Sequence, residues 1–110
     1  MSAAAEGLGA ANALRGEAEY RVGGAMLRLR PSFAALVAAE AELGPLFALV
    51  ERAAEGRLTL NEMAALFWHC AAERPEGLNR AALGEALVAG GLSAATPVLR
   101  ILLGQILQGR

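Results

Sequence analysis

The sequence predicts a mainly α-helical domain, in which one N-terminal β-hairpin is followed by about five short packed helices. Polar and apolar residues alternate with a period of two over residues 19–30, and this alternation is typical of half-buried strands. After residue 30, apolar residues recur at helical spacing between capping residues, glycines and prolines. We see no repeat period of roughly 20 to 50 residues, so a solenoid is not expected.

The length of 110 residues suits one compact domain, since domains usually contain about 100 to 150 residues. Residues 1–14 are rich in Ala and Gly and predict a flexible N-terminal arm, which leaves residues 15–110 as the single folded domain. Hydrophobic residues make up 55 % of the chain. A domain of this size buries only roughly 60 to 70 % of its unfolded surface, so we expect some apolar surface to stay exposed.

The hairpin is predicted from a glycine pair at its turn and from the residues that this turn places opposite each other. Gly23-Gly24 suits a two-residue turn because glycine adopts positive φ without penalty. The predicted apolar pairs are Val22 with Ala25, Tyr20 with Leu27 and Ala18 with Leu29, and the charged pairs are Glu19 with Arg28 and Glu17 with Arg30. We expect the apolar side to pack on a helix beginning at Phe33, and a β-branched residue at Gly24 to destabilise the fold.

Five helices are predicted from their start and stop signals. The starts are Ser32 as a cap, Pro45 at a first helical position, the Thr59–Glu62 capping box, Asn79 as a cap, and Thr96-Pro97. The stops are Gly44, Gly56, the segment before Pro75, Gly90-Gly91 and the C-terminal segment.

Charge and cysteine content exclude several classes of function. The formal net charge is −1, so the chain lacks the basic surface that nucleic-acid binding needs. A DNA-binding helix-turn-helix over residues 59–91 is excluded for the same reason, because Arg80 is the one basic residue of its second helix and few phosphate contacts are possible. The single cysteine, Cys70, cannot form an internal disulfide, and no Cys or His cluster has metal-ligand spacing. We therefore expect no nucleic acid, no metal and no cofactor.

The N-terminal stretch lacks the basic region and long apolar core of a secretory signal, and no apolar run approaches the roughly 18 residues of a membrane span. A cytoplasmic protein without a membrane partner is expected.

No group of residues predicts catalysis. His69 and Cys70 are neighbours, and neighbours in a helix point about 100° apart, so their side chains cannot form a nucleophile–base pair. Glu40 and Glu42 are two residues apart and face away from each other. Cys70 is interpreted as a buried core residue, and the protein as a non-enzyme.

Two helices have apolar residues beyond a single stripe. Leu66 and Trp68 lie off the core stripe of the third helix, and Val98 and Ile101 lie off that of the last. A helix that is apolar all round is either central in the fold or covered by another chain. These four residues are the candidate partner-binding residues, while burial of both helices within the domain stays open as the alternative.

The order of these segments resembles the small tail-assembly proteins of gene transfer agents and related tailed phages, a family often labelled tail assembly chaperone. The resemblance rests on "ANALRGEAEYRVGG", "LRPSFAALVAAEAELGPLFALVERAAEGRL", "AALFWHC" and "LLGQILQGR", and it covers residues from about 11 to the end.

The resemblance implies a non-enzymatic chaperone in the cytoplasm of a bacterial host cell. Such a protein would bind a hydrophobic helical tail protein, above all the tape measure, while tail tube subunits assemble, and it could also form a homo-oligomer. Two alternatives stay open, namely a structural subunit that remains in the tail particle and a generic helical adaptor domain.

Overall fold

The computed structural model describes residues 17–109 and confirms the mainly α fold class, with one hairpin followed by five helices. The elements are β1 (Ala18–Val22), β2 (Ala25–Leu29), α1 (Phe33–Leu43), α2 (Leu46–Ala54), α3 (Leu60–Cys70), α4 (Arg80–Gly90) and α5 (Leu92–Gln108). The predicted arm, residues 1–14, lies outside the described residues.

The register of the hairpin is the predicted one. Strands β1 and β2 pair antiparallel with Ala18 opposite Leu29, Tyr20 opposite Leu27 and Val22 opposite Ala25. The predicted inner side is buried over the first two of these pairs. On the other side Glu19 lies opposite Arg28, and at the open end the Arg30 Nε lies 3.8 Å from the Glu17 carboxylate.

The turn differs from the prediction in which glycine it needs. Gly23 has a φ of 61°, whereas Gly24 does not adopt a positive φ. Positive φ at the first turn residue alone is the pattern of a type II′ turn, in which the second position tolerates other residues. The position that requires glycine is therefore Gly23, and the positive φ expected at Gly24 is not found.

The helix that supports the hairpin also differs from the expected one. Strand β1 packs mainly on α5 and also on α4, where the Tyr20 hydroxyl donates to the Ala86 carbonyl at 3.3 Å. Phe33, the expected contact, is 84 % exposed. Helix α1 packs on α3 instead. The chain after α3 returns to the hairpin, so the later helices cover its apolar side.

The outer edge of β2 is also covered. The Arg30 amide donates to the Cys70 carbonyl at 2.7 Å, and the Ala72 amide donates to the Arg28 carbonyl at 2.9 Å. Leu29 and Ala71 form an isolated antiparallel bridge. These bonds attach the end of α3 to the hairpin.

Helix α3 is the centre of the domain and begins at the predicted capping box. The Thr59 hydroxyl accepts from the Glu62 amide at 3.1 Å, and Glu62 accepts from the Thr59 amide at 3.0 Å. Six of its residues are buried: Met63, Ala64, Ala65, Leu66, Phe67 and Cys70. It packs against α1 and α4, and the Phe67 ring meets Tyr20 edge-on at 5.6 Å.

Helix α5 begins earlier than predicted. It starts at Leu92, directly after Gly91 with a φ of 84°, and Pro97 lies inside it rather than at its start. Pro97 has no backbone N–H, so the Ser93 carbonyl, four residues earlier, does not receive the usual helical hydrogen bond from it. Ser93 is exposed and lies in the first turn of the helix. Burial of Ala95 against the core favours the longer helix.

Within residues 17–109, no single helix is long and apolar enough to cross a membrane. Two consecutive pairs, α1 with α2 and α4 with α5, reach that apolar length only together, and they are bent by 77° and 117°.

Candidate interaction surfaces

The two predicted partner-binding residues of α3 lie in different environments. Leu66 is fully buried in the core, so it contacts no partner in this conformation. Trp68 is partly buried against the core, and the Arg74 guanidinium lies 4.1 Å from the centre of its ring. Leu66 is buried within the domain because α3 is enclosed by α1, α4 and the hairpin.

The two predicted residues of α5 are more accessible. Val98 is partly buried and lines a groove of about 490 Å³ together with Tyr20 and Met26 of the hairpin. Ile101 is exposed. The four predicted residues do not form one surface, since Leu66 is inside the core.

Larger exposed apolar side chains lie on α1 and α2, where the sequence analysis did not place a binding surface. Phe33 is 84 % exposed, Phe47 is 78 % exposed and Val37 is 49 % exposed. Phe33 and Val37 are four residues apart and share one face of α1. The buried residue of α1 is Ala39, with Leu36 and Leu43 partly buried beside it. Helical spacing allows either set of residues to face the core, so the sequence carried no signal that decided between them.

An open groove runs between α3 and α4, with a volume of about 680 Å³. Leu60 and Val88 flank it, and both are exposed. Its lining has small residues at Ala64, Ala81 and Gly84, and its polar groups come from Asn61, Arg80 and Glu85. This groove can accept an apolar side chain from another chain.

A polar network joins α1 to α3 and α4. The Glu42 carboxylate bonds the His69 imidazole at 2.7 Å and the Arg80 guanidinium at 2.5 Å. Bonding from Arg80, and next from His69, holds the pKa of the Glu42 carboxyl below its usual 4.5. The network connects three helices at their surface, which is a structural role.

The side chains of His69 and Cys70, which are neighbours in α3, lie in different environments, as the helix geometry predicts. Cys70 is buried, and desolvation raises the pKa of its thiol to about 12, so it is not a thiolate near neutral pH. His69 is directed to Glu42 instead. Among residues 17–109, no group of three His, Cys or acidic residues could hold a metal ion.

Comparison with known protein families identifies the family of this chain. A protein-family model described as phage tail tube protein, GTA-gp10, matches residues 15–109. No curated protein and no solved structure matches the chain. The family description contradicts the chaperone interpretation and supports the alternative, a structural subunit of the tail. Because the match spans nearly the whole chain, the protein belongs to the family of phage tail tube proteins, GTA-gp10.

Proposed function

We propose that this protein is a non-enzymatic structural subunit of a phage-like tail of the gene transfer agent type. It assembles with other tail proteins inside the bacterial host cell and stays in the finished particle. The observation that carries the proposal is the exposure of large apolar side chains, led by Phe33 and Phe47, on a chain of a tail tube family.

The energetic argument concerns surface that a free monomer leaves in water. Phe33 and Phe47 expose most of their rings, and Leu60 and Val88 are exposed at the α3–α4 groove. An aromatic side chain can bury about 150 to 250 Å² in a contact, and Phe33 shares its face of α1 with exposed Val37. A subunit that is covered by its neighbours in a tail would bury this surface.

The partners of the proposed subunit are other tail proteins. Further copies of this chain are one expected class, and the tape measure is the other. Trp68, Val98 and Ile101 keep accessible surface, so they are included among the residues through which such partners would bind.

The test is the composition of purified tailed particles. Particles from the producing bacterium are separated from lysate, and the chain is quantified by mass spectrometry with an abundant cytoplasmic protein as the marker of contamination. We expect many copies of the chain per particle. Chemical cross-linking then identifies its neighbours. Presence in the lysate together with absence from the particles would overturn the proposal.

A pair of matched variants tests the surface argument in the same preparation. Phe47→Ser removes an exposed ring from α2, whereas Arg57→Ser changes an exposed residue whose ion pair is with neighbouring Glu55. We expect Phe47→Ser to lower the number of copies per particle and Arg57→Ser to leave it unchanged. Equal incorporation of both variants would show that α2 does not face a tail partner.

A further inference from the structure

Each strand of the hairpin has one edge that does not face the other strand. In an antiparallel pair, alternate residues direct their amide and carbonyl to the partner strand, and the remaining residues direct them outward. On β2 the outward groups belong to Arg28 and Arg30. The Ala72 amide bonds the Arg28 carbonyl, and the Arg30 amide bonds the Cys70 carbonyl. The outer edge of β2 is therefore closed by the chain itself.

The outer edge of β1 is not closed in this way. Glu19 lies opposite Arg28 and Arg21 lies opposite Met26, so the outward groups of β1 belong to Glu19 and Arg21. Among residues 17–109, the Arg21 amide and carbonyl have no hydrogen-bond partner, and its exposed side chain is in no ion pair. Arg21 thus offers a donor, an acceptor and a positive charge at a sheet edge.

A groove of about 490 Å³ lies beside this edge. Arg21 of β1 contributes to its lining, together with small residues of α4 and α5, namely Ala86, Ala89, Gly90 and Ala94. Ala89 and Ala94 are exposed. Such small residues leave room for another backbone to approach β1 closely.

An extended polypeptide segment fits this combination of groups. A strand that is added to a sheet edge bonds the free amide and carbonyl of the edge, whereas a helix uses its own backbone groups internally. Arg21 favours an acidic residue beside it on the added strand, because opposite charges on paired strands stabilise each other. Side chains that enter the groove must be small, since Ala and Gly line it.

A second copy of this chain suits the groove less well than a single extended segment. The β1 strand of a second copy is itself packed on α5 and α4. Pairing of two β1 edges would bring these helices of both copies to the space that one strand occupies.

We infer that the outer edge of β1 binds an extended segment of a different tail protein. The segment adds a third strand to the hairpin, directs small apolar side chains into the groove and holds an acidic side chain beside Arg21. The inference rests on the proposed function, because its occupant belongs to the tail of which this chain is a subunit.

Photo-cross-linking within purified particles identifies the occupant. Met26 lines the groove and is 49 % exposed, so a diazirine analogue of methionine can replace it with little change in size. Mass spectrometry of the cross-linked peptides gives the chain and the residue that this side chain meets. We expect one segment of another tail protein, with small apolar residues on both sides of an acidic one.

Variants that circular dichroism shows to be folded test the edge, with the cross-link yield taken per incorporated chain. Arg21→Ala should lower the yield about threefold, as for a lost cross-strand charge pair. Arg21→Pro also removes the amide donor and should lower the yield about tenfold or more, and an edge strand tolerates proline where the amide faces outward. Ala89→Leu fills the groove and should abolish the cross-link. Arg100→Ala is the matched control, because it removes an exposed positive charge outside the groove lining.

The cross-linked segment, made as a peptide, tests the same edge on the isolated chain. At saturation it should slow hydrogen exchange of the Arg21 amide by about tenfold or more, as expected for an amide that joins a strand pair. The Ala72 amide should be unaffected, because it already bonds the Arg28 carbonyl. A peptide that is N-methylated at the amides facing β1 should not bind.

Several outcomes would overturn the inference while the chain is present in the particles and the proposed function stands. Cross-links to a second copy, or to residues 1–16 of the same chain, would assign the groove to those occupants. The absence of a cross-link, a yield that Arg21→Pro leaves unchanged, or an N-methylated peptide that binds as well as the unmodified one would refute strand addition. Absence of the chain from the particles would overturn the proposed function, and this inference with it.

Discussion

Helices α1 and α3 have the same length and similar apolar content, yet they use their apolar residues in opposite ways. Helix α3 buries six of its eleven residues, whereas α1 buries Ala39 alone. Phe67 of α3 is fully buried, and Phe33 of α1 is 84 % exposed. The comparison shows that apolar content does not decide which helix forms the core.

The reason is the number of neighbours. Helix α3 packs against α1 on one side and α4 on another, and its C-terminal end is hydrogen-bonded to β2. Helix α1 packs mainly on α3 and α2, which leaves a broad face for solvent or for another chain. The region around α3 and the hairpin should determine the stability of the fold, and the α1–α2 region should determine its contacts.

The largest expected effect comes from the centre of α3. Phe67→Ala should lower the free energy of unfolding by about 3 to 5 kcal/mol, because the ring is fully buried and packs on Tyr20. The matched variant Phe47→Ala, in α2, should change it by less than about 0.5 kcal/mol. Urea unfolding followed by circular dichroism measures both. Similar losses of stability in the two variants would contradict the proposal that the α3 and hairpin region, rather than the α1–α2 region, determines stability.

The hairpin turn should give the next largest effect. Gly23→Val should destabilise the fold by about 1 to 2 kcal/mol, because a β-branched residue resists the φ of 61° found there. Gly24→Val should cost less, since Gly24 does not need positive φ. Thermal unfolding of the two variants decides the order. If Gly24→Val were the more harmful, the turn would not be of type II′.

The caps of α1 and α3 have similar chemistry, so removing each cap compares the stability of the two regions. The Thr59 hydroxyl caps α3 and the Ser32 hydroxyl caps α1. Thr59→Ala should cost about 1 kcal/mol of global stability, whereas Ser32→Ala should chiefly speed amide exchange within α1. Hydrogen exchange read by residue separates these outcomes. Faster exchange throughout α3 in the Ser32→Ala variant would contradict the peripheral position of α1.

The smallest effect concerns Glu42, which ties the two regions together. Its pKa is lower in the folded state than in the unfolded state, so its contribution is complete above about pH 4.5 and is lost as the pH falls through the lowered value. Glu42→Gln should therefore be less stable than the unaltered chain near neutral pH, and this difference should shrink in acid. The carboxylate is a third exposed, so solvent screening keeps the effect small.

Urea unfolding over a pH series measures this difference, with Glu51→Gln on the exposed face of α2 as the control. If the stability difference between the unaltered chain and Glu42→Gln grew as the pH fell, the proposed stabilisation by the Glu42 carboxylate would be refuted.

The sequence by itself determined the local features of this protein. The hairpin register follows from the glycine turn and the alternation of Tyr20, Leu27 and Leu29 with charged residues. The caps at Ser32, Thr59 and Asn79 are as predicted, because each depends on a side chain and a backbone amide three residues away. Such features need no knowledge of distant elements.

Only the tertiary structure decided which apolar faces are covered. It placed the hairpin on α5 and α4, buried Leu66, left Phe33 and Val37 of α1 exposed, and began α5 at Leu92. Each outcome depends on which helix packs against which, through contacts between residues far apart in the chain. Leu36, Ala39 and Leu43 compete with Phe33 and Val37 for the core side of α1, and helical spacing alone favours neither set. Packing against α3 favours the face that contains Ala39, because a small side chain allows close approach of the two helices.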